Sequence, residues 1–180
     1  MKLNIAKLRK ALTAMTPTSA QAKAGNYKKG HTSFNGLNLT IENPAGTTRT
    51  GVDRNGKPWA TLMRDHYGYI KAIKGKDGDN LDIFISETPV ETAPVFIIDQ
   101  HDNVHGGFDE HKIMLGYATQ AEAQDAYLRN FDPAFCGLKD ITPMAMDVFK
   151  EMISSGSLTA KVAKRFKISK LKKALKEIQK

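Results

Sequence analysis

The sequence predicts an α+β fold in which a small antiparallel barrel or sandwich is flanked by helices. Three observations predict it. Between Leu37 and Tyr117, short apolar runs with strand periodicity alternate with Gly, Asp and Asn turn signals. After Tyr117 the apolar spacing becomes helical. The two ends differ from this middle: a Gly/Ser/Thr/Lys/Asn-rich stretch lies before Leu37, and a lysine-rich one follows Ala160.

Taken in order, Leu3, Ile5, Ala6, Leu8, Leu12 and Met15 fall close to helical spacing, and Pro17 ends that helix. Residues 17–36 read as a linker, so 1–36 is an N-terminal helix and arm. Leu37, Leu39 and Ile41 alternate with Asn38, Thr40 and Glu42, the pattern of a half-buried strand. Asn55-Gly56 is a hairpin turn leading into Trp59–Met63. Tyr67–Ile70, Leu81–Ile85, Val95–Ile98 and Ile113–Tyr117 are further strands. Thr119 and Glu122 form a capping box for a helix carrying Ala123, Ala126, Tyr127 and Phe131. Thr142-Pro143 is expected to open the next helix, with Met146, Phe149, Met152 and Ile153 on its apolar face and Gly156 just past its end. Residues 37–156 therefore form the expected domain. Residues 157–180 form a basic tail, helical and amphipathic from about Ser169.

Hydrophobic residues make up 41% of the 180-residue chain, too many for a fully disordered one. No run approaches the roughly 18 apolar residues of a membrane helix. Met1–Met15 lacks the long apolar region and cleavage site of a signal peptide. A single cysteine, Cys136, excludes an internal disulfide and a cysteine-based zinc site, and fits a reducing compartment. The net charge of +8 is carried by residues 161–180, where nine Lys/Arg face one acid, Glu177; the remainder is balanced. High basicity would ordinarily suggest a nucleic-acid-binding domain, but here it marks only a tail.

The residues that point to chemistry are acidic. Asp77, Asp79 and Asp82 lie within six residues, and a hard cation such as Mg²⁺ or Mn²⁺ would relieve their mutual repulsion. An exposed Asp-Gly turn is the plainer alternative. The EF-hand spacing is not met. A second group, Asp99, Asp102, Asp109 and Glu110, flanks Gly106-Gly107, with Lys112 beyond. Two such clusters at neighbouring strand ends could hold several Mg²⁺ ions, which activate water and screen phosphate, and Lys112 and Arg49 could contact phosphate oxygens. The alternative is solvated loops. His101, His105 and His111 are close in sequence but not at helical metal-ligand spacing, and no phosphate-binding Gly-Lys-Ser/Thr loop is present.

Tyr67-Gly-Tyr-Ile70, Asp77-Gly-Asp-Asn-Leu-Asp82 and the following Ile83-Phe-Ile85 resemble the signature of soluble family I inorganic pyrophosphatases. Ile41-Glu-Asn-Pro-Ala-Gly46 resembles that family's early strand. A phage and mobile-element version of the domain is a closer match, through Gly25–His31, Gly56-Lys-Pro-Trp59, Phe108–Gly116 and Ile141-Thr-Pro-Met144, so the resemblance covers about residues 23–153. It implies a five-stranded OB-like barrel with helices at its side and Mg²⁺-dependent attack of water on pyrophosphate or a nucleotide-like phosphoanhydride. Carried over by position, Asp77 and Asp82 would be metal ligands, Asp79 would orient or deprotonate the water, and Tyr67 would contact phosphate. Asp109 or Glu110 would be the distal metal ligand, with Asp99 or Asp102 completing the second cluster. Lys112, Tyr127, Arg129, Glu42 and Arg49 would be substrate contacts.

The departures are Asn80 where the family usually has Pro, a shorter segment from Glu42 to Tyr67, and a different spacing from Asp99 to Asp109. The competing reading is a non-catalytic phage structural or DNA-associated protein that reuses the fold and binds nucleic acid through residues 161–180. The expected setting is host cytoplasm or phage virion.

Overall fold

A computed structural model describes Ala20 and residues 29–162, apart from 54, 103, 104, 157 and 159. The expected helix over 2–15 and the tail helix from Ser169 lie outside the described residues. The strands are β1 (Gly30–Phe34), β2 (Leu37–Asn43), β3 (Thr48–Val52), β4 (Pro58–Leu62), β5 (His66–Lys74), β6 (Asn80–Ile85), β7 (Val95–His101), β8 (Phe108–Leu115) and β9 (Leu138–Met144). The helices are α1 (Gln120–Leu128), between β8 and β9, and α2 (Met146–Ser154), after β9.

Seven strands form one sheet in the order β1-β2-β5-β6-β8-β7-β9, while β3 and β4 pair as a separate hairpin. The α+β class holds. The expected barrel does not: among the described residues no pairing joins β1 to β9, so the sheet is open. It is also mixed rather than antiparallel, because β6 pairs parallel with β8. The chain passes from β6 to β7 beyond the slot that β8 then fills, and β8 consequently runs in the direction of β6.

The sheet is covered on both faces, because its strands alternate between two apolar sets. Leu81, Ile83 and Ile85 of β6 join Leu39, Ile41, Ile97, Ile113 and Leu115 on one face, where Phe149 and Ile153 of α2 pack. Phe84, Ile98 and Met114 lie on the other, against Ala123, Ala126 and Tyr127 of α1. Leu158 and Val162 are buried in the first cluster, although both fall in the segment read as a tail.

Two further expectations change. Residues 30–34, read as part of an arm, form edge strand β1, because Asn35 and Gly36 take positive φ (47° and 82°) and turn the chain into β2. Thr142-Pro143 does not open a helix but lies in β9, and α2 begins at Met146. Pro143 is tolerated because β9 is an edge strand with a single partner, β7. The capping site at Thr119 is present: its side chain accepts the Glu122 N–H at 3.2 Å.

Candidate active site

Strand parity builds the site. On the α1 face, the apolar positions give way toward one end of the sheet to polar ones. Asp82 lies two residues from Phe84, and Lys112 two from Met114. Tyr67, Tyr69 and Glu42 reach the same cleft, of about 440 Å³, and Arg49 enters from β3. The turn between β5 and β6 sets Asp77 and Asp79 at its edge. Gly78 there has φ 87°, the Asp79 N–H donates to Asp77 Oδ1 at 3.1 Å, and the Gly75 N–H donates to Asp79 O at 2.8 Å.

Lys112 is the centre. Its side chain is buried, its ammonium donates to Asp82 Oδ2, and it lies 2.9 Å from Glu110 Oε1. The Tyr67 hydroxyl donates to that same Asp82 oxygen. The Tyr67 ring is flanked by two cations, Arg49 at 4.4 Å and Lys112 at 5.6 Å from its centroid. Burial works against the charge on Lys112, but the oxygens of Tyr67, Asp82 and Glu110 outweigh it, so the amine is held protonated well above its usual range. Burial pushes the Tyr67 phenol up, against the opposing pull of Lys112, so it remains a proton donor. Burial also raises the Glu110 carboxyl above its usual value, against the lowering effect of Lys112.

A family model described as inorganic pyrophosphatase matches residues 19–154. The chain belongs to the inorganic pyrophosphatase family. No curated protein matches the chain. The matched span contains every residue lining the cleft.

The family implies Mg²⁺, and the donor set of this cleft fits it. Five carboxylates (Glu42, Asp77, Asp79, Asp82 and Glu110) line the cleft against three cations, Lys29, Arg49 and Lys112. The acidic donors are all oxygens, which suits a hard divalent ion, and negative charge is left in excess. Among the described residues, no three Asp, Glu, His or Cys side chains converge as a ready-made metal cage.

Eight of the residues singled out in the sequence line this cleft: Glu42, Arg49, Tyr67, Asp77, Asp79, Asp82, Glu110 and Lys112. Five do not. Asp99 is fully buried on the opposite face, 3.3 Å from His111 Nε2, and accepts the Val162 N–H at 3.2 Å. Asp102 accepts the His105 N–H in the loop after β7. Asp109 is exposed and accepts from Gln100 Nε2 at 3.3 Å. The expected second carboxylate cluster is therefore not assembled; Glu110 alone of that group reaches the cleft. Tyr127 stands one residue back: its hydroxyl donates to Gln100 Oε1 at 2.6 Å, and Gln100 Nε2 donates to Glu110 at 3.0 Å. Arg129 makes a two-pronged contact with buried Asp65, at 2.8 and 2.7 Å.

Sequence reasoning missed Lys29, Tyr69 and Gln100. Tyr69 was accessible through its two-residue spacing from Tyr67. Lys29, which pairs with Glu42, depends on recognising the Asn35-Gly36 hairpin. Gln100 had no signal beyond strand parity.

Proposed function

We propose that the chain hydrolyses pyrophosphate in this cleft with Mg²⁺ (Mn²⁺ as a substitute). The observation that carries the reading is the convergence of Tyr67, Asp77, Asp79, Asp82 and Lys112 in one cleft of a chain from this family. Asp77, Asp82 and Glu110 would hold the ion. When bound, Mg²⁺ supplies charge neutralisation and a more acidic water. The residues do the rest. Arg49, Lys112 and Lys29 hold phosphate oxygens by charge-assisted hydrogen bonds. The Tyr67 hydroxyl, kept protonated, donates to a phosphate oxygen as charge builds there. Asp79, exposed at the cleft edge, receives the proton of the attacking water. The water oxygen bonds to phosphorus, the bond from that phosphorus to the bridging oxygen breaks, and its electron pair leaves with orthophosphate.

Phosphate release from pyrophosphate in the presence of Mg²⁺ tests this. Asp79→Asn is expected to lower kcat about 100-fold or more, the usual range for removing a general base. A variant with the parent rate would remove Asp79 from this role.

A further inference from the structure

Beside the cleft lies a second hollow, of about 650 Å³, between the β3–β4 hairpin and the segment after α1. Arg49 lines both. Its guanidinium lies 4.4 Å from the Tyr67 ring centroid in the cleft and 5.3 Å from that of Trp59 in the groove. The two hollows are thus joined through one phosphate-competent cation.

The groove has the chemistry of a nucleoside site. Trp59 is 37% exposed, the only Phe, Tyr or Trp ring so exposed among the described residues. It is held flat against its cross-strand partner Gly51, where a Cβ would fall 2.3 Å from the ring. Phe131 and Phe135 stack at 4.2 Å, nearly parallel at 13°, and also line the groove. Arg64 adds positive charge at its wall, where Arg129 also stands, paired with Asp65. Rigid aromatic surfaces beside arginines suit base stacking, and the volume is that of a small-molecule pocket. Inorganic pyrophosphate is too small and too charged to use the aromatic surface.

We propose that the physiological substrate is a nucleoside diphosphate, with its anhydride in the cleft and its base stacked in the Trp59 groove. The inference rests on the phosphoanhydride-hydrolase reading. Water oxygen would bond to the β-phosphorus, the bond from that phosphorus to the bridging oxygen would break, and its electron pair would leave with the nucleoside monophosphate. Orthophosphate is the second product, and the water proton passes to Asp79.

Trp59 is the only tryptophan of the chain, so intrinsic fluorescence reports this groove directly. The full chain would be titrated with ADP, GDP, CDP, UDP and pyrophosphate in Mg²⁺, and phosphate release measured for each. At least one nucleoside diphosphate is expected to change the Trp59 emission and to bind roughly tenfold more tightly than pyrophosphate. Trp59→Leu should lower kcat/KM for that nucleotide about tenfold relative to pyrophosphate, and Trp59→Phe should restore most of the preference. Hydrolysis of pyrophosphate with no nucleotide response in binding or emission overturns the inference and leaves the hydrolase reading standing. A nucleotide response without cleavage of any anhydride removes the hydrolase reading and, with it, the nucleotide as substrate.

Discussion

With Lys112 changed to Met, the carboxylates of Asp82 and Glu110 lose the cation between them in a mostly buried setting. Unpaired buried charges are costly, so the variant is expected to lose about 3 kcal/mol of stability by denaturant titration. Pyrophosphate hydrolysis should fall at least tenfold, and parent-like stability and rate together would refute this role. A pH effect accompanies the loss. The folded-state pKa of Glu110 lies above its ordinary 4.5, chiefly because of burial. A carboxyl whose folded pKa is raised costs the fold stability as pH climbs from 4.5 through the raised value. Without Lys112 that pKa rises further, so the destabilisation of the variant should be larger at neutral pH than near pH 4. The acidic run, Tyr67 and Lys112 were legible because motif spacing and parity agree there. Asp99 was not. Every residue of β7 is buried, so the apolar alternation that would reveal which face Asp99 takes is absent.

At the scale of elements, the junction of β4 and β5 is held by backbone bonds between Met63 and Gly46 and Thr47 and, after Met63, by side chains. Asp65 accepts from Tyr117, Arg129 and Asn130, and next to it His66 Nδ1 accepts the Ala45 N–H at 2.9 Å. Burial lowers the His66 pKa below 6.5, against the raising effects of Glu87 and Asp65. A base with a depressed folded pKa costs the fold stability as pH falls below 6.5, and the loss is complete once pH is below the folded value. Denaturant midpoints should therefore fall between neutral pH and pH 5 by more in the parent than in His66→Asn, whose side-chain oxygen can still accept the Ala45 N–H. Equal pH slopes would exclude His66 as the source. The elements themselves were readable where periodicity was long, as in β2, β6 and α1. Two that were missed in the large sheet, β1 and β9, are the edge strands at either end of it. Both occur where local signals compete: Asn35-Gly36 within a polar stretch, and a proline that suits either a first helical turn or an edge strand.

The whole molecule divides its labour between the two faces of one sheet. The face against α2 is apolar in nearly every strand, whereas the face against α1 gives way at one end to the polar cleft. Stability should therefore be concentrated on the α2 side, and the chain beyond α2 contributes to it. Leu158 is 3% exposed and Val162 2%, and the Val162 N–H is bound by Asp99. A boundary at Gly156, just past the end of α2, cuts through this cluster, because the helix ends before the last buried side chain has been laid down. Ending the chain after Gly156 removes two buried apolar side chains, at about 1.5–3 kcal/mol each, and strands Asp99 on the apolar face without its Val162 partner. That chain is expected to be less stable than the parent by about 3 kcal/mol or more. A chain ending after Val162 keeps both side chains and should be the more stable of the two shortened chains, although it lacks eight of the nine tail cations. Coincident urea midpoints for the two shortened chains would show that Leu158 and Val162 contribute nothing to the core. If the midpoints separate as expected, only the chain ending after Val162 can test nucleic-acid binding by the tail, because loss of binding in the shorter one would also follow from loss of the fold.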